Sequence, residues 1–481
     1  NLCIFVFKGY YFTTIDDIQE PQMIDRKIKL GSFIPGLLLS MMSYNAAYAS
    51  GFALIEMNAS GQGNAYAGAA AHTNNASTVY FNPAGMMNLE GEQLSFVGHI
   101  VDPSADFNND GSKLNDAAGG APLTGKGDDG GETAYLANAY WVKPLNDKTT
   151  FGMGVYTPFG LKTDYDDDWV GRYHGILSDL KTLNFNPSLG YRVNDKLSIG
   201  GGVNMMLAKV ELSSAIDFGT ICTGLAPATC VPAGATPQEA DGKADLDGDN
   251  YDDLAFGFNL GLAYMISKQT TIGVAYRSEV DIDVEGDADF KLPDNPAVQG
   301  VIGMTPLFVD TDLKADVTLP ASFSVSLAHQ VGKFTWLGDA TWTGWSSFDE
   351  LRIRYDNPAQ PDTVTTEDWD DTMRYSVGVD YQYSDSLVLR TGLAFDESPV
   401  PSAERRTPRL PGEDRTWVSL GFTYLASSTI SFDVGYSHLF IDDAKIDNTL
   451  ESETEGLNAT LTGEYDGEVD ILSAQLNWNI E

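Results

Sequence analysis

Period-two alternation constrains this chain more than any other feature. Ser428–Ile441 carries it plainly, with Ile430, Phe432, Val434, Tyr436 and Phe440 on one face and Ser431, Asp433, Gly435 and Ser437 on the other. Successive strand side chains point to opposite faces, so such a run is a strand with one apolar and one polar side. The pattern recurs over 93–101, 132–142, 149–161, 182–193, 197–212, 254–266, 270–286, 314–330, 334–355, 372–384, 386–397, 415–425, 428–441 and 467–480. Short connections at Leu145–Lys148, Asn194–Lys196, Ser267–Gln269, Val331–Lys333, Ser384–Ser386 and Ala426–Ser428 alternate with long ones. An even number of strands, with tight turns on one edge and long loops on the other, predicts an all-β fold. That fold is a 14-stranded antiparallel transmembrane β-barrel whose apolar face meets lipid and whose polar face meets a lumen.

No run of 18 apolar residues exists, so no helical membrane span is expected. The formal charge of −39 repels nucleic acid. It concentrates in expected loops such as Asp164–Asp168 and Asp245–Asp253. The spacing of Asp245, Asp247 and Asp249 resembles a calcium loop, but Asn250 and Phe256 stand where Gly and Glu are usual, so no metal is assigned. The five histidines are scattered without ligand spacing, and no nucleophile–base arrangement indicates an enzyme or a cofactor.

Met23 reads as a start, with Arg26, Lys27 and Lys29 before an apolar Leu30–Met42 and a small-x-small site at Ala47-Tyr48-Ala49. Residues 1–49 therefore read as an upstream extension and signal peptide, cleaved after Ala49. Residues 50–90 do not read as strands and 91–481 form the expected barrel. Small-residue stretches at Ser60–Gly63 and Ala65–Ala71, and the turn Asn82-Pro83-Ala84, suit a hatch folded into the lumen, or else a periplasmic tail. A fourteen-stranded barrel leaves a pore unless something fills it. Cys222 and Cys230 fall in one long loop and are expected to pair in an oxidising compartment, the alternative being two thiols.

Ser50-Gly51-Phe52, Ser60-Gly61-x-Gly63, Asn82-Pro83-Ala84, Tyr276–Val280, Trp345-Ser346-x-Phe348 and Thr391–Pro401 together resemble the FadL/TodX family of outer-membrane long-chain fatty acid and hydrocarbon transporters. The resemblance implies a barrel with an N-terminal hatch. It also implies capture of a hydrophobic substrate in a groove of the 213–253 and 287–313 loops, where Ile302, Met304, Leu307 and Phe308 supply apolar surface. It implies an inner pocket where Phe52, Asn82, Pro83, Ala84, Phe159 and Gly160 meet the ligand, and a lateral gate where Pro158, Phe159 and Gly160 interrupt strand three. Proline cannot donate to the ladder, so a bulge and a gap toward lipid are expected there. By the family pattern Arg352 is the cation for a carboxylate head group, with Lys209 a second candidate. Strand parity places Arg277, Glu279, Asp281, Asp339, Arg374, Asp380, Arg390, Asp396 and Asp433 on the lumen side, and Trp141, Trp336, Trp417 and Trp478 in the interfacial girdles.

The expected partners are a long-chain fatty acid or similar hydrophobic molecule, outer-membrane lipid and lipopolysaccharide, with the chain acting as a monomer. Two alternatives stay open: a hydrocarbon channel of the same family, which needs no head-group cation, and a general porin.

Overall fold

The computed structural model describes residues 51–114, 120–451 and 458–480. The leader and cleavage site expected over 1–49 lie outside them. Fourteen wall strands are present among the described residues. They are β1 (Glu92–Asn109), β2 (Ala134–Asn146), β3 (Thr149–Tyr156 and Gly160–Asp164), β4 (Leu177–Arg192), β5 (Leu197–Asp217), β6 (Ala255–Ser267) and β7 (Thr270–Arg277 and Val280–Lys291). The others are β8 (Thr311–Leu319 and Ser322–Val331), β9 (Phe334–Thr343 and Glu350–Tyr355), β10 (Thr372–Ser384), β11 (Leu387–Asp396), β12 (Arg415–Leu425), β13 (Ile430–Ile441) and β14 (Ala459–Ile480). Neighbours pair antiparallel throughout, and β1 closes the ring on β14 from Glu92↔Ile480 to Asn109↔Gly463. Among the described residues, closure removes the free edges of the wall itself.

The alternation sorts side chains as its period requires. On β13, Phe432, Tyr436 and Phe440 are exposed outward, whereas Asp433, Gly435, Ser437 and Leu439 are buried inward. The inward polar groups satisfy one another: Arg390 pairs with Asp380 at 3.1 Å and with Asp433 at 3.4 Å, and Asn477 donates to Asp433 at 2.6 Å.

Local breaks in the wall overturn some parity expectations. Ser278 and Glu279 interrupt β7, so Arg277 and Val280 both face inward while Glu279 and Asp281 face out. Arg277 and Val280 are three residues apart yet share a face, and that odd spacing reverses the faces of everything beyond it. Trp417 is fully buried on the lumen face beside Arg415 and Ser419, and is no girdle residue; Trp336 and Trp478 are exposed outward.

The expected 213–253 loop is largely ordered structure. β5 runs on to Asp217, and Asp241–Asp249 is a further strand paired with both β5 and the outer half of β7. The stretch likened to a calcium loop is thus extended, and its carboxylates pair with lysines instead of converging: Asp247 with Lys209 at 3.5 Å, Asp245 with Lys291 at 2.5 Å.

Above β5, Cys222 and Cys230 are joined in a disulfide (Cα–Cα 5.8 Å) buried with Phe218, Val298 and Ile302. Replacing both cysteines by serine is expected to remove roughly 2–3 kcal/mol of loop constraint. Limited proteolysis checks this, with new cuts over 218–240 and an intact barrel core as the expected result.

Candidate functional site

Residues 51–91 pack against inward-facing positions on many strands. Asn64 donates to Asp380 of β10 at 3.0 Å, the Ala59 N–H to Gln475 of β14 at 3.0 Å, and the Ala70 N–H to Ser326 of β8 at 3.0 Å. In return Arg277 donates to the Tyr80 carbonyl at 3.1 Å and Asn138 to the Glu56 carbonyl at 2.8 Å. The wall meets this segment with glycines. A Cβ at Gly200 would lie 2.5 Å from the Ala84 nitrogen, and one at Gly273, Gly378 or Gly392 would press on the backbone of Ala70 or Asn64. Asn82, Pro83 and Ala84 belong to this seat. Asn82 caps the Ala84 N–H at 3.0 Å and donates to the Ala70 carbonyl at 2.7 Å and the Leu262 carbonyl at 3.0 Å.

The first residues of the segment meet the break in β3. Up to Val155 that strand pairs with β2, and Gly160–Asp164 is held by β4 on its other side. At the break, Ala53 bridges Phe159, the Leu54 N–H donates to the Pro158 carbonyl at 2.9 Å, and the Gly160 N–H donates to the Phe52 carbonyl at 2.9 Å. The segment thus supplies backbone partners to β3 where the β2 ladder stops. Across the bulge, the Thr182 hydroxyl bonds both the N–H and the carbonyl of Phe159. Phe52 is buried in an aromatic cluster, with ring centroids 6.1 Å from Phe159, 4.8 Å from Trp345, 5.4 Å from Phe348 and 5.8 Å from Trp369.

Beside this contact lies a cavity of about 120 Å³, lined by Leu54, Ile55, Pro83, Pro158, Phe159, Tyr80, Arg277, Arg374, Asp339 and Asp396 among others. Glu56 is buried close by, and burial pushes its carboxyl up to about 7.

A second cavity of about 240 Å³ opens at the long-loop end. Leu212, Ile216, Leu246, Phe290, Leu307, Phe308, Leu351 and Ile353 give it an apolar lining. Phe308 holds a left-handed backbone (φ 56°) and packs on Phe218 at 5.0 Å and Phe290 at 5.8 Å. Such a conformation is costly for a residue with a Cβ, so tertiary contacts must hold it there. Of the apolar loop residues expected in the groove, Leu307 and Phe308 line this cavity; Ile302 is buried against the disulfide instead, and Met304 is 81% exposed.

The expected cations lie elsewhere. Arg352 alternates out from Leu351 and Ile353, lines neither cavity, and is engaged by Glu350 at 2.7 Å and Asp362 at 3.2 Å. Lys209 is engaged by Glu211 at 2.6 Å and by Asp247. The cation that lines the outer cavity is Arg409, from the β11–β12 connection. It donates to the Leu177 carbonyl and the Ser178 hydroxyl, both at 2.8 Å, and has no carboxylate within 4.0 Å among the described residues. Burial draws its pKa down to about 10, against the opposing pull of Glu367. The acids around the cavity are occupied: Asp362 by Arg352, Glu451 by Arg405 at 3.2 Å, and Asp217 by the Thr220 N–H at 2.8 Å. The sequence does hold a signal for Arg409. Arg405, Arg406 and Arg409 are three arginines within five residues of a chain with only 29 basic side chains. Arg405 and Arg406 find carboxylates; Arg409 does not.

Residues 40–480 match the family model described as outer membrane protein transport protein (OMPP1/FadL/TodX). The chain is 30% identical over 442 residues to a long-chain fatty acid transport protein of Escherichia coli O6:H1, covering 90% of this chain and 95% of that one. Its fold is similar to the crystal structure of a Pseudomonas aeruginosa FadL homologue (TM-score 0.80, 23% identity, 90% of this chain and 100% of the other). It is also similar to that of the Ralstonia pickettii toluene transporter TbuX (TM-score 0.60, 18% identity, 88% and 100%). With a closed fourteen-stranded wall, an N-terminal segment seated against it and a family match over nearly its whole length, the chain belongs to the OMPP1/FadL/TodX family of outer-membrane transport proteins.

Proposed function

We propose that this barrel takes up long-chain fatty acids or similar hydrophobic molecules from outside the cell. Capture occurs in the outer cavity, passage leads to the inner one, and exit is sideways through the break in β3. Residues 51–91 act as a hatch that blocks the lumen to water and ions. The observation that carries this reading is the pairing of Phe52, Ala53 and Leu54 with Pro158, Phe159 and Gly160. A wall break covered by a removable segment opens when that segment shifts, and a tail leaving there enters lipid without crossing water.

Burying about ten methylenes gains on the order of 8 kcal/mol gross, so an apolar cavity alone gives useful affinity. A carboxylate head needs a cation, because an unpaired buried charge is costly. Arg409 meets that need in the outer cavity, and Arg352 keeps Asp362 from competing for it.

The test is uptake of radiolabelled oleate by cells that lack their own transporter. The wild-type chain should restore uptake. Arg409→Gln should raise the half-saturating concentration roughly tenfold or more, the worth of a charge-assisted hydrogen bond. Entry of toluene with no entry of oleate would make this a hydrocarbon channel, and entry of small hydrophilic solutes would make it a porin.

A further inference from the structure

Four buried aromatic rings, Phe52, Trp345, Phe348 and Trp369, stand between the two cavities and line neither of them. Besides their contacts with Phe52, Trp369 lies 5.0 Å from Trp345 and 4.9 Å from Phe348 between centroids, both edge to face. Two stretches of chain run through the cluster from one cavity to the other. Along β9 the order is Thr343 at the inner cavity, Trp345 and Phe348 in the cluster, then Leu351 and Ile353 at the outer cavity. Along the connection into β10 it is Thr365 at the outer cavity, Trp369 in the cluster, then Arg374 at the inner cavity. The way from the outer cavity to the inner one therefore runs through these rings.

Trp345 and Phe348 are not tied into the sheet. The β8–β9 ladder reaches Ser322↔Thr343, is extended by the Gly344 N–H to the Ala321 carbonyl at 2.9 Å, and resumes at Ala315↔Ile353. Between those points no backbone hydrogen bond joins 316–320 to 345–352 among the described residues, and Pro320 has no N–H to offer. The inserted turn is held by its own Phe348 N–H to Trp345 carbonyl bond at 2.8 Å and by the Ser346 N–H to Asp371 at 3.0 Å. Trp345 Nε1 and Ser347 Oγ are buried there without a hydrogen-bond partner among the described residues. Asp368, next to Trp369, holds left-handed backbone (φ 49°). Unsatisfied donors and a strained residue both raise the free energy of the closed arrangement, so an opened one lies closer to it.

We propose that Phe52, Trp345, Phe348 and Trp369 form a gate between the two cavities that selects tails by cross-section, with Trp345 and Phe348 as its moving part. This rests on the reading that both cavities lie on one uptake route. A slim hydrocarbon chain parts the rings and returns apolar contacts for those it breaks. A tail ending in fused rings needs more room than one displaced side chain leaves. Phe52 joins the gate to the hatch, and Gly51 lets the two approach closely: a Cβ there would lie 2.5 Å from the Trp345 ring. Movement of Trp345 is thus passed to the segment that covers the break in β3.

The test compares uptake of oleate with uptake of a dodecanoate ending in a pyrene ring, by cells carrying this chain in place of their own transporter. The parent should take up oleate and largely exclude the pyrene acid. Phe348→Ala should raise the ratio of pyrene acid to oleate uptake roughly tenfold or more, since a mismatch of one methylene in an apolar pocket already discriminates by that factor. Binding of oleate to the purified variant in detergent should change little, because no residue lining either cavity is altered. Phe348→Leu leaves a smaller void and supplies the same comparison if the alanine variant does not fold. A parent that takes up both acids equally would overturn the gate, as would a ratio that stays at the parental value in the variant. Loss of both acids together would also overturn it, since Phe348 would then be a packing residue only. Parent cells that take up neither acid would overturn the uptake reading and this proposal with it.

Discussion

Leucine at Gly392 is expected to turn a closed barrel into one that passes steady ion current. Gly392 lies on the inner face of β11, and a Cβ there would sit on the Asn64 carbonyl. That carbonyl belongs to backbone held by neighbouring contacts, including the Asn64–Asp380 hydrogen bond, so it cannot swing aside as a side chain would. Overpacking of this kind costs roughly 1–3 kcal/mol, a shift of about 5- to 150-fold in the ratio of seated to displaced segment. The wall itself should tolerate the change, because glycine is a weak strand residue and the pairing of β11 with β10 and β12 is untouched. With the segment displaced, a fourteen-stranded lumen is wide enough to conduct. Planar-bilayer recording checks this. The leucine variant should show steady current where the parent shows little. Gly98→Leu, on the outer face with nothing within 4 Å of the added Cβ, should behave as the parent does. An equally quiet Gly392→Leu would mean that the segment does not close the lumen.

Much of the barrel was legible because a barrel strand repeats a rule that needs no long-range information. Inward and outward residues alternate, so β13 declares its faces in its own sequence, as do the two-residue turn at Gly332 and the break at Pro158. The same rule fails where it meets a bulge. Nothing local in Tyr276–Val280 says that Ser278 and Glu279 leave the ladder. The bulge is stabilised from β6, where Ser278 exchanges hydrogen bonds with the backbone of Phe258. Glu279 and Asp281 therefore turned out, not in.

The strand Asp241–Asp249 was hidden by composition. Aspartate and glycine disfavour strands, and it forms because β5 and β7 offer it edges on both sides. The family pattern points to Arg352 as the head-group cation. Whether a cation is free depends on which carboxylates the fold brings to it, and a family pattern does not carry that. Glu350 and Asp362 claim Arg352, while Arg409 and Arg374 are left without a carboxylate partner. The lumen glycines were visible as letters, but their purpose appears only when Asn64, Ala70 and Ala84 are seen pressed against them.

The proposed lateral exit requires Phe52, Ala53 and Leu54 to part from Pro158, Phe159 and Gly160. Ala53 and Phe159 are bridge partners, and antiparallel partners have Cα atoms about 4.5–5.5 Å apart, within the span of a disulfide, about 4.4–6.8 Å. Cysteines at both positions should therefore cross-link and pin the segment across the break. Oleate uptake by cells carrying Ala53→Cys with Phe159→Cys should fall to background under oxidising conditions and return on reduction. Each single-cysteine variant, and the parent with its native disulfide, should respond little to reductant. Binding of oleate at the outer cavity should survive the cross-link, since none of the residues lining that cavity is altered. Uptake that continues at the parental rate with the cross-link fully formed would contradict the account and place the exit elsewhere in the wall.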